Sequence, residues 1–272
     1  MAETKQTIWL ATLSSVQFLS RLPIHKLIQL DETPDFKTSS HTYGLAGLLI
    51  ALPAALVLAL ALFAGLSPLV SAVLCITTNI IITGALHEDG LADVTDGFWG
   101  GHTKERKLEI MRDSAIGTYG VLGLVISVAL RVALLSMLIN AMGMIACIMV
   151  VAVGSLSRFA MLWPWSTLPQ ARIDTPNTKK AAKEAQSLAA KYGAPDSTEF
   201  NRAILFVIPA LVLIAVTLPP LTTICAIVVA VLFVLALSAL SSRHIGGHTG
   251  DTLGATQQIC EIGLYLGASI AI

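Results

Sequence analysis

Three aspartates, Asp89, Asp93 and Asp96, stand four and three residues apart within His87–Gly97, HEDGLADVTDG. At about 100° per residue, a helix would bring all three onto one narrow stripe. Like charges on one stripe repel, so the pattern calls for something positive to hold them together. A divalent cation meets that need. An all-carboxylate donor set favours a hard ion such as Mg²⁺, which readily shares its shell with substrate phosphates. Gly90 and Gly97 lie beside the stripe and would let a phosphorylated ligand approach the backbone. The competing reading, a polar loop with solvated acids, does not explain the repeated Asp-Gly steps or the shared face.

Two further polar stretches carry candidate groups. Lys104–Gly117, KERKLEIMRDSAIG, reads as a short amphipathic surface helix that brings Arg112 and Asp113. Glu105, Glu109 and Asp113 read equally well as solvated helix charges. Thr249-Gly250-Asp251-Thr252 opens the last helix. It reads as a plain N-cap, as open backbone suited to a phosphate at Gly246, Gly247 and Gly250, or instead as a place where Asp251 adds to a metal site. His87 falls off the aspartate stripe and suits an orienting role.

The elements that must position these groups are membrane helices. The chain of 272 residues is 55% hydrophobic and only 12% charged, with a mean hydropathy of +0.77. Several apolar runs reach the roughly 20 residues that cross a bilayer. The expected fold is all-α, a single polytopic transmembrane bundle over 1–272 with about six to seven spans and an interfacial helix at 7–22. Spans are expected near 43–65, 69–86, 118–140, 142–163, 203–218 and 221–240, followed by a weaker last helix from Leu253. The acidic segment 87–117 and the polar loop 164–202 connect them, the latter with a surface helix at Thr178–Lys191. The net charge of zero gives no case for nucleic-acid binding.

Fifteen of the seventeen Lys and Arg fall on one side of this alternation, which makes that side cytoplasmic. The other two, Arg131 and Arg158, lie inside spans. Each should face the interior and have a partner. That partner is either a buried group such as Glu261 or the phosphate of a ligand. The one-sided polarity argues against a transporter or cation carrier, which needs access from both faces. Clustered aspartates with Mg²⁺, arginine and open glycines at a membrane face suit phosphoryl transfer from a diphosphate donor to an alcohol.

HEDGLADVTDG, LEIMRDSAIGTYG and GGHTGDTLGA together resemble the cobalamin synthase family, the adenosylcobinamide-GDP ribazoletransferases. The resemblance extends to Arg21-Leu22-Pro23, Gly44–Leu49 and Ser157-Arg158, and so covers nearly the whole chain. It implies an integral enzyme of the cytoplasmic membrane. Such an enzyme joins α-ribazole, or its 5′-phosphate, to adenosylcobinamide-GDP with Mg²⁺, giving adenosylcobalamin, or its phosphate, and GMP. The family's motifs fall on His87, Asp89, Asp93 and Asp96, on Arg112, Asp113 and Gly117, and on Gly250 and Asp251. Asp89, Asp93, Asp96 and Asp113 are then the expected metal ligands. Gly90, Gly97, Arg112, Arg131, Arg158, Gly250 and Asp251 are the expected substrate contacts. A Glu-Gly-Leu-Gly-like turn found in many relatives is missing from 164–202, so no contact is assigned there. The alternative is a CDP-alcohol lipid phosphotransferase, but its pattern wants Ala-Arg after the first Asp-Gly, and here Ala92 precedes Asp93. The oligomeric state, including a homo-oligomer, is open at this level.

Overall fold

The computed structural model describes residues 7–26, 39–171, 195 and 197–270. The Thr178–Lys191 helix expected from sequence lies outside them. The described residues are all-α: α1 (Ile8–Leu19), α2 (Tyr43–Phe63), α3 (Pro68–Thr83), α4 (Leu86–Gly100), α5 (Lys104–Ile110) and α6 (Thr118–Met142). Then follow α7 (Ala146–Ala160), α8 (Leu162–Thr167), α9 (Ser197–Thr217), α10 (Pro220–Ile245) and α11 (Gly250–Ser269).

Among the described residues, four helical runs are long and apolar enough to cross a membrane: Ser40–Phe63, Thr118–Thr167, Thr198–Thr217 and Pro220–Ile245. Bent as one, α3 and α4 would make a fifth. This is fewer than the six to seven expected, for two reasons. The run Thr118–Thr167 contains α6, α7 and α8. In addition, α3 has 16 residues and α7 has 15, a rise of about 24 and 22 Å against a hydrocarbon core of about 30 Å.

The largest departure from expectation is α11. Its hydropathy is weak, yet it is the centre of the bundle, packed against α4, α6, α7 and α10, and nearly all of Thr252–Ala268 is buried. Small residues let neighbours close on it. A Cβ on Gly263 would sit 2.7 Å from Ala230 Cα, and one on Gly267 would sit 2.6 Å from Ala226 Cα. Many large apolar side chains instead point outward, among them Phe63, Leu205, Val216 and Leu232. The same inversion accounts for the Gly44–Leu49 stretch, where Gly47 meets the Gly154–Ser155 backbone of α7.

A sharp turn separates α3 from α4. Gly84 (φ 64°) and Ala85 (φ 59°) are both left-handed. The Ala85 N–H reaches back to the Ile80 carbonyl at 3.0 Å, a Schellman-type ending. A left-handed alanine costs about 1–2 kcal/mol. The two helices therefore meet at 89°, and α4 turns away from the direction of α3. The Arg21-Leu22-Pro23 stretch is packed against this turn, with the Arg21 N–H donating to the Ile82 carbonyl at 2.7 Å.

Candidate active site

Because Leu86–Gly100 is helical, its aspartates do share a face. Three acids on one face cost little locally: a like-charged i,i+4 pair loses about 0.2–0.5 kcal/mol. The opposite side of α4 buries Leu91, Val94 and Phe98 against α5, α10 and α11. At about 1.5–3 kcal/mol each, that burial outweighs the repulsion.

The three aspartates meet different surroundings. Asp89 is exposed and Asp93 half-buried, and both line a cleft of about 400 Å³. Asp96 is buried and turns to α6. Its Oδ2 accepts from the Gly117 N–H at 2.7 Å and its Oδ1 from the Gly120 N–H at 2.8 Å. It thus satisfies two of the free donors at the start of that helix and places negative charge at its positive end. Gly117 and Gly120 are required there, because a Cβ on either would collide with this carboxylate.

The far wall of the cleft is the turn between α5 and α6, which contributes Arg112, Asp113 and Ser114. The amphipathic helix stops at Ile110, so Arg112 and Asp113 sit in the turn beyond it, while Leu108 and Met111 are buried toward the bundle. Asp113 Oδ1 accepts from the Ala115 N–H at 3.1 Å, which fixes the carboxyl's orientation. Asp251, in the first turn of α11, completes the electrostatics. Burial, then Asp251, Asp89 and Asp96, push Asp93 up to about 7. Burial also holds Asp251 above the usual carboxylate range, while the Thr249 hydroxyl and Arg112 pull it the other way.

Among the described residues, no three His, Cys, Asp or Glu side chains converge closely enough to hold an ion unaided. Mg²⁺ seldom needs such a cage: it usually takes one or two carboxylates and fills its shell with water and substrate phosphate. The donor set of the cleft fits that kind of binding, and the repulsion that adds to burial in raising Asp93 is what a cation would relieve.

The model of the family CobS, cobalamin-5-phosphate synthase, matches residues 11–269. The chain belongs to this family. It is 40% identical to the adenosylcobinamide-GDP ribazoletransferase of Sinorhizobium medicae over 278 aligned positions, covering 100% of both chains. Its identity to the protein of the same name in Allorhizobium ampelinum is 38% over 263 positions, 95% of each chain. With that of Rhizobium meliloti it is 37% over 278 positions, 100% of each. No solved structure matches the chain.

In this cobalamin-5-phosphate synthase family member the remaining expected contacts are put to several uses. Gly90 does not open toward a ligand: a Cβ there would sit 2.7 Å from the Asp251 carbonyl oxygen, so it serves the close crossing of α4 and α11. Gly97 likewise packs against Met111 and the Lys107 carbonyl. Gly247 lies against the Pro169 backbone, in a segment joined by the His248 N–H donating to the Pro169 carbonyl at 2.8 Å. Gly250, by contrast, has open space around it at the α11 N-terminus. Thr249 and Thr252 form a capping box there.

Arg131 and Arg158 are fully buried and do not line the cleft. Arg131 Nη2 lies 3.0 Å from Glu88 Oε1, and its Nη1 lies 3.8 Å from Glu261 Oε1. Arg158 Nη1 donates to the Gly154 carbonyl at 2.9 Å. The buried alternative weighed from sequence is thus the one these contacts support. His87 is buried beside these arginines, and its Nε2 has no hydrogen-bond partner. Sequence reasoning missed Glu88, Gln257 and Gln258. A signal was present: two arginines against one glutamate inside the spans leave one positive charge over, which a second buried carboxylate balances.

Proposed function

We propose that the chain is an adenosylcobinamide-GDP ribazoletransferase that completes the corrinoid nucleotide loop in a late step of cobalamin biosynthesis. It joins α-ribazole, or its 5′-phosphate, to adenosylcobinamide-GDP and releases GMP. The observation that carries this reading is the cleft. In a chain that belongs to this family along nearly its whole length, Asp89 and Asp93 face Arg112 and Asp113 across one space of about 400 Å³.

In this reading Asp89 and Asp93 would hold Mg²⁺. When bound, Mg²⁺ supplies charge neutralisation on the donor's diphosphate and on the departing GMP. Arg112 pairs with a phosphate oxygen, for which a guanidinium is well shaped. Gly250 leaves room for phosphate beside the positive N-terminal end of α11. A ribose hydroxyl oxygen of α-ribazole, one that stays free in its 5′-phosphate, forms a bond to the phosphorus nearer the cobinamide, and the bond from that phosphorus to the GMP oxygen breaks. Asp113, held by the Ala115 N–H, accepts the hydroxyl proton. Asp96 acts at one remove, by fixing the start of α6 and with it the turn that carries Asp113. In the span order expected from the sequence, fifteen Lys and Arg gather on one side, which supports a cleft that opens to the cytoplasm.

The test is Asp113→Asn in detergent-purified protein. Loss of a positioned base lowers turnover by about 10²–10⁴-fold, with binding of Mn²⁺, a Mg²⁺ substitute, retained. Unchanged turnover would remove Asp113 from the chemistry. Release of CMP from a CDP-alcohol in place of GMP would move the enzyme to the lipid phosphotransferases.

A further inference from the structure

Glu88 joins the cleft to the centre of the bundle. It stands next to Asp89 in the first turn of α4, lines the cleft, and is only 6% exposed. Its Oε1 takes two contacts from two different helices: Arg131 Nη2 of α6 at 3.0 Å, and Gln258 Nε2 of α11 at 3.1 Å. Each partner is itself held. The Ser127 hydroxyl of α6 donates to Gln258 Oε1 at 3.1 Å, and Gln258 Nε2 also donates to Gln257 Oε1 at 2.8 Å. Gln257 Nε2 in turn reaches the Ser157 hydroxyl of α7 at 3.0 Å and Glu261 Oε2 at 2.8 Å. The Oε2 atom of Glu88 is buried without a hydrogen-bond partner, so its fixation rests on Oε1 alone.

A buried carboxylate is expensive unless it is paired. Nothing in the packing of α4 demands one here, since its apolar face already docks on α5, α10 and α11. What Glu88 adds is direction. The α4 N-terminus follows two left-handed residues and has no side-chain cap. Tying the residue before Asp89 to α6 and α11 sets the rotation of that turn about its axis.

We propose that Glu88 is a positioning residue, whose contacts with Arg131 and Gln258 hold Asp89 toward the cleft in the orientation that binds the metal. This rests on the reading of Asp89 and Asp93 as the metal-holding carboxylates. Supporting contacts of this kind, when lost, cost about 10–100-fold in metal affinity.

The experiment measures Mn²⁺ binding by electron paramagnetic resonance to the full chain in detergent, without substrates, alongside its thermal unfolding. Two variants are compared with the unaltered protein, Glu88→Gln and the double variant Glu88→Gln/Arg131→Gln. The double variant keeps the net charge near the cleft and leaves no buried arginine unpaired at position 131. It therefore separates positioning from charge and from folding. The expected result is Mn²⁺ binding about tenfold or more weaker in both variants, with the thermal midpoint of the double variant recovered toward that of the unaltered protein. Binding restored together with the midpoint in the double variant would reduce Glu88 to a partner for a buried charge and overturn the proposal. Unchanged binding in both variants would overturn it as well. No binding by the unaltered protein would instead refute the metal reading of Asp89 and Asp93, and the proposal with it.

Discussion

Replacing Asp96 by asparagine preserves the shape of the side chain but turns one acceptor into a donor. The native carboxylate receives the Gly117 N–H at 2.7 Å and the Gly120 N–H at 2.8 Å. The amide can receive only one of them, and its NH₂ then faces the other. One charge-assisted hydrogen bond is worth about 1.5–3 kcal/mol. Loss of negative charge at a helix N-terminus adds about 0.3–1 kcal/mol, and up to about 2 in a partly buried setting. These contributions overlap, so Asp96→Asn should destabilise the protein by about 2–4 kcal/mol, or roughly 5–15 °C in melting temperature. Asp89→Asn is the control on the same stripe. Asp89 is exposed, and its loss should move stability by no more than about 0.5 kcal/mol while abolishing turnover. Thermal unfolding followed by tryptophan fluorescence, paired with GMP release well below the midpoint, separates the two. Asp96→Asn should melt early yet keep measurable turnover per folded molecule. If it melted with the unaltered protein and released no GMP, Asp96 would belong among the metal-holding groups and its role as an anchor for α6 would be refuted.

The raised Asp93 makes metal binding sensitive to pH. A carboxylate lifted from 3.8 to about 7 by folding contributes stability that is fully present below 3.8 and is lost as pH rises from there through about 7. A bound cation must displace this proton, so Mn²⁺ affinity should fall up to about tenfold per pH unit below 7 and level off above it, as a pH series of the resonance titration would show. By the same logic Asp93→Asn should make the metal-free protein more stable at pH 8 while abolishing turnover; a destabilised variant would argue against repulsion among these acids. Gly90→Ala forces a Cβ to 2.7 Å from the Asp251 carbonyl, whereas Gly250→Ala meets nothing within 4 Å. The first should cost about 1–3 kcal/mol in stability. The second should cost little stability but should raise the KM for the GDP-bearing substrate. Equal melting temperatures would refute the assignment of Gly90 to helix packing.

Local periodicity carried the parts of this fold that could be read from the chain. The stripe of Asp89, Asp93 and Asp96, the spans at Tyr43–Phe63 and Thr118–Met142, and the starting turn at Thr249 all follow from spacing and capping. What each aspartate touches did not follow, because Asp96 finds its partners 21 and 24 residues away on a helix whose placement is a tertiary fact. The same holds for the glycines, since a missing side chain serves a ligand or a neighbouring backbone equally well in sequence. Hydropathy misled most at α11. In a membrane it reports which helices face lipid, and α11 faces protein, so Gln257, Gln258 and Glu261 lower its score while forming the bundle's polar centre. The surplus of Arg131 and Arg158 over Glu261 was the one global clue to Glu88.

The most direct measurement is product release by purified protein supplied with adenosylcobinamide-GDP, α-ribazole and Mg²⁺, with and without a chelator. GMP and the completed corrinoid should appear in equal amounts, and both should vanish on chelation and in Asp89→Asn. GMP formed without the corrinoid would make water the acceptor and contradict the assigned transfer. Product formation that survives both chelation and Asp89→Asn would contradict the carboxylate–metal cleft itself.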